Sequence, residues 1–295
     1  MPALISLLLR EQIRLFKPLF TKFSVSDSRA FQEALGDLGA KVVSDSVRFT
    51  DFEIGDVPAC AATPIALANN DRRALLYLHG GGYVAGSLGY ARGFAGTLAD
   101  AVGIRTLCIG YRLAPEHPFP AALEDAFAAY EYLLSQGCRA DDISLIGESA
   151  GGGLILALCL KLKAMGMPLP SRLIPLSPWT DLTLSGKSYE TNLKADISLT
   201  HAEIDGFVEA YAPPDTRDPL VSPLFGDFAG FPPCFIFVGG DELLLSDSVM
   251  LADRLRAAGV NCSLTVEDGM WHGYVLYGVP EAVAALAEIK KFLEE

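Results

Sequence analysis

Residues 146–153 read IGESAGGG, with Ser149 between glycines two positions before it and two positions after it. The stretch follows the apolar run ISLI (143–146) and precedes LILALCLKL (154–162). The first run is short and opens on a β-branched residue, as a buried strand does. The second is longer and rich in Leu and Ala, as in a buried helix. Ser149 therefore stands where a strand turns abruptly into a helix. A Gly-rich turn with an N-capping serine reads the same way in isolation, so the rest of the chain has to decide between a cap and a nucleophile.

The chain has 295 residues, enough for one large domain with a substantial core or for two small ones. Hydrophobic residues make up 51% and charged residues 20%, which is a globular composition. A net charge of −13 argues against nucleic acid, whose phosphates need Lys and Arg. It also disfavours anionic membrane surfaces. The six cysteines contain no C-x-x-C pair, and several sit in apolar segments such as PPCFIFV, so neither a metal site nor a disulfide framework is expected. The N-terminal MPALISLLLREQIRLFKPLF lacks a basic leader, and Arg10 and Glu11 cut its apolar run short. It reads as an amphipathic helix packed as a lid, not as a signal peptide or membrane span, with the cytoplasm as the default compartment.

Beyond about residue 46 strand-like and helix-like segments alternate. SVRFTDFEI and ACAATPIAL suggest an opening antiparallel pair. ALLYLHG (74–80), TLCIGY (106–111), ISLIGES (143–149), RLIPLSP (172–178), CFIFVGGD (234–241) and CSLTVED (262–268) read as strands. Helices are expected near 88–102, 119–136 and 246–258, and from 150 and 280 onward. Near-continuous apolar strands between helices predict a mostly parallel sheet covered on both faces. Residues 1–45 and 180–230 fall outside the alternation. Both are placed to be lids, because open parallel sheets bind ligands beyond the carboxyl ends of their strands.

A serine nucleophile needs a base. Of the four histidines, His79 and His117 precede Ser149 and His201 lies in the irregular insertion. Only His272, in DGMWHGY after the last strand, follows in the chain order that an elbow nucleophile uses. Asp181, Asp196, Asp227, Glu242, Asp247 and Asp268 compete for the role of acid. Asp241, which ends CFIFVGG directly, is the first choice, Glu242 the next and Asp268 the third. HGGGY (79–83) follows the strand ALLYL, and successive glycines let backbone N–H groups turn toward a developing oxyanion. Gly81 and Gly82, with the Ala150 N–H beside the nucleophile, are the expected donors.

With these residues in place, the chain resembles the hormone-sensitive-lipase-like branch of the α/β-hydrolases, the bacterial family IV esterases. The resemblance runs over 46–295 and rests on HGGGYVAGS (79–87), YRLAPEHPFPAALED (111–125), GESAGGG (147–153), SPW (177–179), DPLVSPLF (218–225), GGDELLLSDS (239–248) and the final H-G-Y. It implies one α/β-hydrolase domain over 1–295, with a mostly parallel central sheet, helices on both faces and a helical cap from about 1–45 and about 180–230. In that family Glu116 and His117 are structural, and Phe119 lies near the next helix. Tyr83, Trp179, Tyr189, Phe207 and Tyr211 are the candidate pocket walls. Two positions depart from the family pattern. Glu148 replaces the commoner Asp, and Gly153 stands where Asn is frequent.

The function that follows is carboxylic ester hydrolysis through an acyl-enzyme, with a small-molecule ester as substrate and no cofactor. Short acyl chains are the expected preference, because a two-part cap should enclose a pocket of limited depth. An amidase, peptidase or lactonase would use the same groups. A non-catalytic ligand receptor is the rival of a different class. The plant gibberellin receptors look like this family but have lost the catalytic histidine, which is present here as His272. The resemblance also implies a homodimer through the last strand, CSLTVED.

Overall fold

The computed structural model describes residues 2–20, 25–68 and 71–295. Among these residues eight strands form one sheet: β1 (Val47–Ile54), β2 (Val57–Pro64), β3 (Ala74–Leu78), β4 (Arg105–Ile109), β5 (Ile143–Glu148), β6 (Arg172–Leu176), β7 (Cys234–Gly239) and β8 (Cys262–Glu267). Their order across the sheet is β1-β2-β4-β3-β5-β6-β7-β8. β1 and β2 pair antiparallel with each other, and β2 pairs antiparallel with β4. From β4 to β8 every pairing is parallel.

The helices in chain order are α1 (Leu4–Phe20), α2 (Val25–Val42), α3 (Leu88–Val102), α4 (Ala121–Ser135), α5 (Ala150–Ala164), α6 (Ser188–Thr191), α7 (His201–Tyr211), α8 (Leu245–Ala257) and α9 (Pro280–Glu294). Five of them were expected within a residue or two of these bounds. Two apolar clusters fill the two faces of the sheet. One joins it to α4, α5 and α8, the other to α3 and α9. β3 and β5 are buried along their whole length, which accounts for apolar runs without strand-period alternation. No helix among the described residues is long and apolar enough to cross a membrane.

β5 lies between β3 and β6, so its carboxyl end opens at mid-sheet. The turn there is tight enough to dictate its residues. A Cβ on Gly147 would sit 2.4 Å from the Gly151 carbonyl oxygen, and one on Gly151 would sit 2.0 Å from the carbonyl oxygen of Leu78. Both obstacles are backbone and cannot swing aside.

Gly151→Ala is therefore expected to lower stability by about 1–3 kcal/mol, the usual range for overpacking. Gly206→Ala provides the contrast. It lies inside α7 with nothing within 4 Å of the added methyl, so it should gain about 0.5–1 kcal/mol from helix propensity. Thermal denaturation of the two variants beside the parent checks both signs.

Candidate active site

Ser149 occupies the turn between β5 and α5 with φ 55° and ψ −122°, a conformation that L-residues rarely adopt. Hydrogen bonds hold it there. Its N–H donates to the Leu176 carbonyl at the end of β6, and its carbonyl accepts from the N–H groups of Gly153 and Trp179. The strain lifts the side chain out of the sheet into a cavity of about 320 Å³. His272 lines the same cavity, on the loop after β8, and so do Gly80, Gly81 and Gly82 after β3.

The carboxylate on His272 belongs to Glu242. Its Oε2 lies 2.5 Å from His272 Nδ1, and its side chain is fully buried. Its other oxygen, Oε1, accepts from the Gly239 N–H at 2.6 Å and from the Ser177 hydroxyl at 2.8 Å. Asp241, the first choice from sequence, faces elsewhere. Its carboxylate pairs with Arg10 of α1 at 2.5 Å. The turn after β7 directs consecutive side chains oppositely, so the inward position falls one residue later than the strand's end suggests. Four of the remaining competitors have other partners. Asp181 accepts from Thr183 and Ser185, Asp227 pairs with Lys163, and Asp247 accepts the N–H groups of Thr180 and Asp181. Asp196 accepts from the N–H groups of Ser198, Leu199 and Leu243, the last of these one residue beyond Glu242.

Burial opposes charging the His272 imidazole. The Glu242 carboxylate, with smaller contributions from Asp196 and Glu148, more than offsets this, and the pKa ends above the ordinary 6.5.

The glycine loop after β3 is braced from below. Gly81 and Gly82 have φ of 105° and 64°, and the Gly81 carbonyl accepts from the N–H groups of Val84 and Ala85. Such a curl turns peptide N–H groups toward the concave side. His79 lies buried beneath it, stacked on Tyr111 with ring centroids 4.1 Å apart. Burial pushes the His79 pKa down to about 4, so at neutral pH the ring is uncharged and its Nδ1–H donates to the Gly80 carbonyl at 2.8 Å. Ala150 is buried as the first residue of α5.

Of the five candidate wall residues only Phe207 lines the cavity, lying over Gly82. Tyr83, Trp179, Tyr189 and Tyr211 are core side chains instead, all at most 2% exposed. Tyr83 and Tyr211 stack with centroids 3.7 Å apart. The walls missed from sequence include Val25, Ser28 and Gln32 of α2, Leu199 and Glu203, and Tyr90, Leu276 and Tyr277. No motif marks them.

Residues 75–276 match the family model for the α/β-hydrolase fold. An acetyl-hydrolase from Streptomyces hygroscopicus is 39% identical over 265 residues, 89% of this chain and 86% of that protein. An esterase from Acinetobacter venetianus is 38% identical over 222 residues, 74% of this chain and 73% of the relative. Among solved structures, an esterase of the bacterial hormone-sensitive lipase family superposes with a TM-score of 0.92 at 36% identity, covering 99% of this chain and 98% of that one. The chain belongs to the α/β-hydrolases, in their hormone-sensitive-lipase-like esterase branch.

Within this branch the two departures have local explanations. Glu148 spans from the elbow to the glycine loop, where its Oε1 accepts from the Gly80 N–H at 2.6 Å and from the Tyr90 hydroxyl at 3.2 Å. At Gly153 a Cβ would lie 2.2 Å from the Trp179 carbonyl oxygen and 3.0 Å from the Tyr83 hydroxyl. The space for a longer side chain is already filled.

Burial raises the Glu148 pKa from 4.5 to about 7, against the hydrogen bonds that favour its anion. A carboxyl whose folded pKa is raised contributes stability that is complete below the unfolded value and fades as pH rises through the folded one. The window is therefore about pH 4.5 to about 7. Glu148→Gln is expected to flatten the fall in thermal stability across that window relative to the parent. A melting-temperature series from pH 4.5 to 8 on both proteins checks it.

Proposed function

We propose that this chain is a serine carboxylesterase in which Ser149, His272 and Glu242 act as nucleophile, base and orienting acid. The observation that carries the reading is the buried Glu242 carboxylate on His272 Nδ1. It commits that nitrogen to a donated hydrogen bond and leaves Nε2 as the basic nitrogen, in the cavity that Ser149 also lines. Ser149 Oγ attacks the ester carbonyl carbon as His272 Nε2 takes its proton. The carbonyl oxygen becomes an oxyanion facing the N–H groups of Gly81, Gly82 and Ala150. The tetrahedral species then expels the alcohol, which takes its proton from His272, and Ser149 keeps the acyl group. Water, deprotonated by the same imidazole, attacks the acyl-enzyme; the bond to Ser149 Oγ breaks, Oγ takes the proton back from His272, and the carboxylic acid leaves.

The N-terminal helices and α7 act in this reading as the cap. Val25, Ser28 and Gln32 from one side and Phe207 from the other close the cavity. A cavity of about 320 Å³ under such a cap suits a small ester such as an acetate or butyrate. The names of the relatives agree with this, an acetyl-hydrolase and an ethyl acetate hydrolase of Pseudomonas putida among them. With p-nitrophenyl esters, kcat/KM is expected to peak at two to four acyl carbons and to fall for longer chains. A rise toward long-chain emulsions would count against the cap.

Exchange at the two adjacent carboxylates separates their roles. Glu242→Gln should cut kcat by about 10³–10⁴, because an amide facing Nδ1 can favour the wrong tautomer. Asp241→Asn, which breaks only a partly exposed pair with Arg10, should cost under about tenfold. Comparable losses at both positions would undo the assignment.

The pH profile follows from the imidazole. Activity needs neutral His272, whose pKa is raised above 6.5. The acid limb of kcat/KM is therefore expected to turn over above pH 6.5, and single labelling of Ser149 by a fluorophosphonate should fade over the same range. A receptor would take up no such label.

A further inference from the structure

Ser177 follows β6 in SPW, and nothing in the mechanism above uses it. Its side chain is buried and absent from the cavity wall, so it touches no substrate. Its φ is 44°, in the left-handed region. A serine there costs free energy that a glycine would not, and such outliers persist where the side chain is needed.

The hydroxyl has two partners. It donates to Glu242 Oε1 at 2.8 Å and accepts from the Gly273 N–H at 3.1 Å. Gly273 is the residue after His272. The Ser177 N–H itself donates to the Phe237 carbonyl on β7 at 2.7 Å, anchoring the residue to the sheet. A closed ring results: Ser177 to Glu242, Glu242 to His272, His272 along the chain to Gly273, and Gly273 back to Ser177.

Resting on the triad reading above, we propose that Ser177 is a positioning residue that fixes the acid and the base loop relative to each other through one hydroxyl. A side chain must both donate and accept at this point, and it must tolerate a positive φ. Alanine and glycine fail the first condition, while threonine fails the second because β-branching is disfavoured there. Serine meets both. The carboxylate it steadies is the nearest of the charges facing His272, with Asp196 and Glu148 as the others.

The test uses Ser177→Ala and Ser177→Gly in the full chain, with p-nitrophenyl butyrate as substrate and fluorophosphonate titration to count competent sites. Both variants should lower kcat per titrated site by about tenfold, the worth of one hydrogen bond to a charged group. KM should move by less than about twofold. The acid limb of kcat/KM should shift to lower pH as the hold of Glu242 on His272 loosens. Ser177→Gly relieves the backbone strain, so its melting temperature should be at least that of Ser177→Ala, and the kinetic loss then cannot be a folding loss. Parental kcat and pH profile in Ser177→Gly would overturn the proposal and leave the esterase reading intact. So would a loss that tracks melting temperature with the acid limb unmoved. A parent chain that neither turns over esters nor takes the label would remove both readings.

Discussion

The backbone of Ser149 is the constraint on which the rest of the site depends. Holding a non-glycine residue at φ 55° and ψ −122° costs about 1–3 kcal/mol, and it persists only where surroundings over-determine it. Here they do. β5 is central, its neighbours β3 and β6 grip it along its length, and Ser149 is tied through its N–H to the end of β6 and through its carbonyl to Trp179 just after it. Gly147 and Gly151 are the consequence, since no side chain fits between the crossing backbones. Glu148 is a second consequence. Being the last residue of β5, it lies within reach of the loop that leaves β3, and the strained turn and the glycine loop become one braced unit.

Those features were legible in the sequence because each is a local demand on the backbone. Gly-x-Ser-x-Gly after an apolar run states a turn that only small flanks permit, and HGGG after another states a curl that only glycines form without strain. The parallel sheet was legible for a similar reason, because two covered faces leave no polar positions along a strand. His272, which shares the cavity with Ser149, was singled out by chain order and by the position of its rivals. The acid was not decided locally. Asp241 and Glu242 are consecutive, and which of them faces inward depends on how the turn after β7 is held. That is set by the Gly239 N–H and by Ser177, which lies 65 positions away in sequence. A choice by proximity to the strand's end favoured the shorter side chain. The structure turns the longer one inward, where it reaches back under the imidazole.

The cavity walls were illegible for a different reason. Aromatic residues in an irregular segment suggest a pocket, yet large flat side chains are also what fills the space between a sheet and the elements laid over it. Tyr83, Trp179, Tyr189 and Tyr211 do the second job. Part of the first falls to Val25, Ser28 and Gln32 on a helix of ordinary mixed composition, VSDSRAFQEALGDLGAKV. α2 is brought to the cavity by long-range ties. Arg29 donates to the carbonyls of Val84 and Ala114, and α2 lies against α3. Nothing in the pattern of the helix announces those partners.

The carboxylate that does not meet the histidine still bears on the one that does. Asp241 and Glu242 place two charges on one turn, and an unpaired second anion beside a buried one would add repulsion to the cost of burial. Arg10 answers it from α1. Its guanidinium meets Asp241 and also donates to the Gly269 carbonyl, in the loop that leads to His272. A few turns along the same helix, Lys17 donates to the carbonyls of Asp196 and Leu199. Leu199 lines the cavity, and Asp196 holds the Leu243 N–H just beyond Glu242. Two basic residues of α1, Arg10 and Lys17, are thus tied to the segments beside Glu242, His272 and the cavity wall. The outward carboxylate is the handle by which the N-terminal helix grips the turn after β7, and the inward one meets the imidazole of His272.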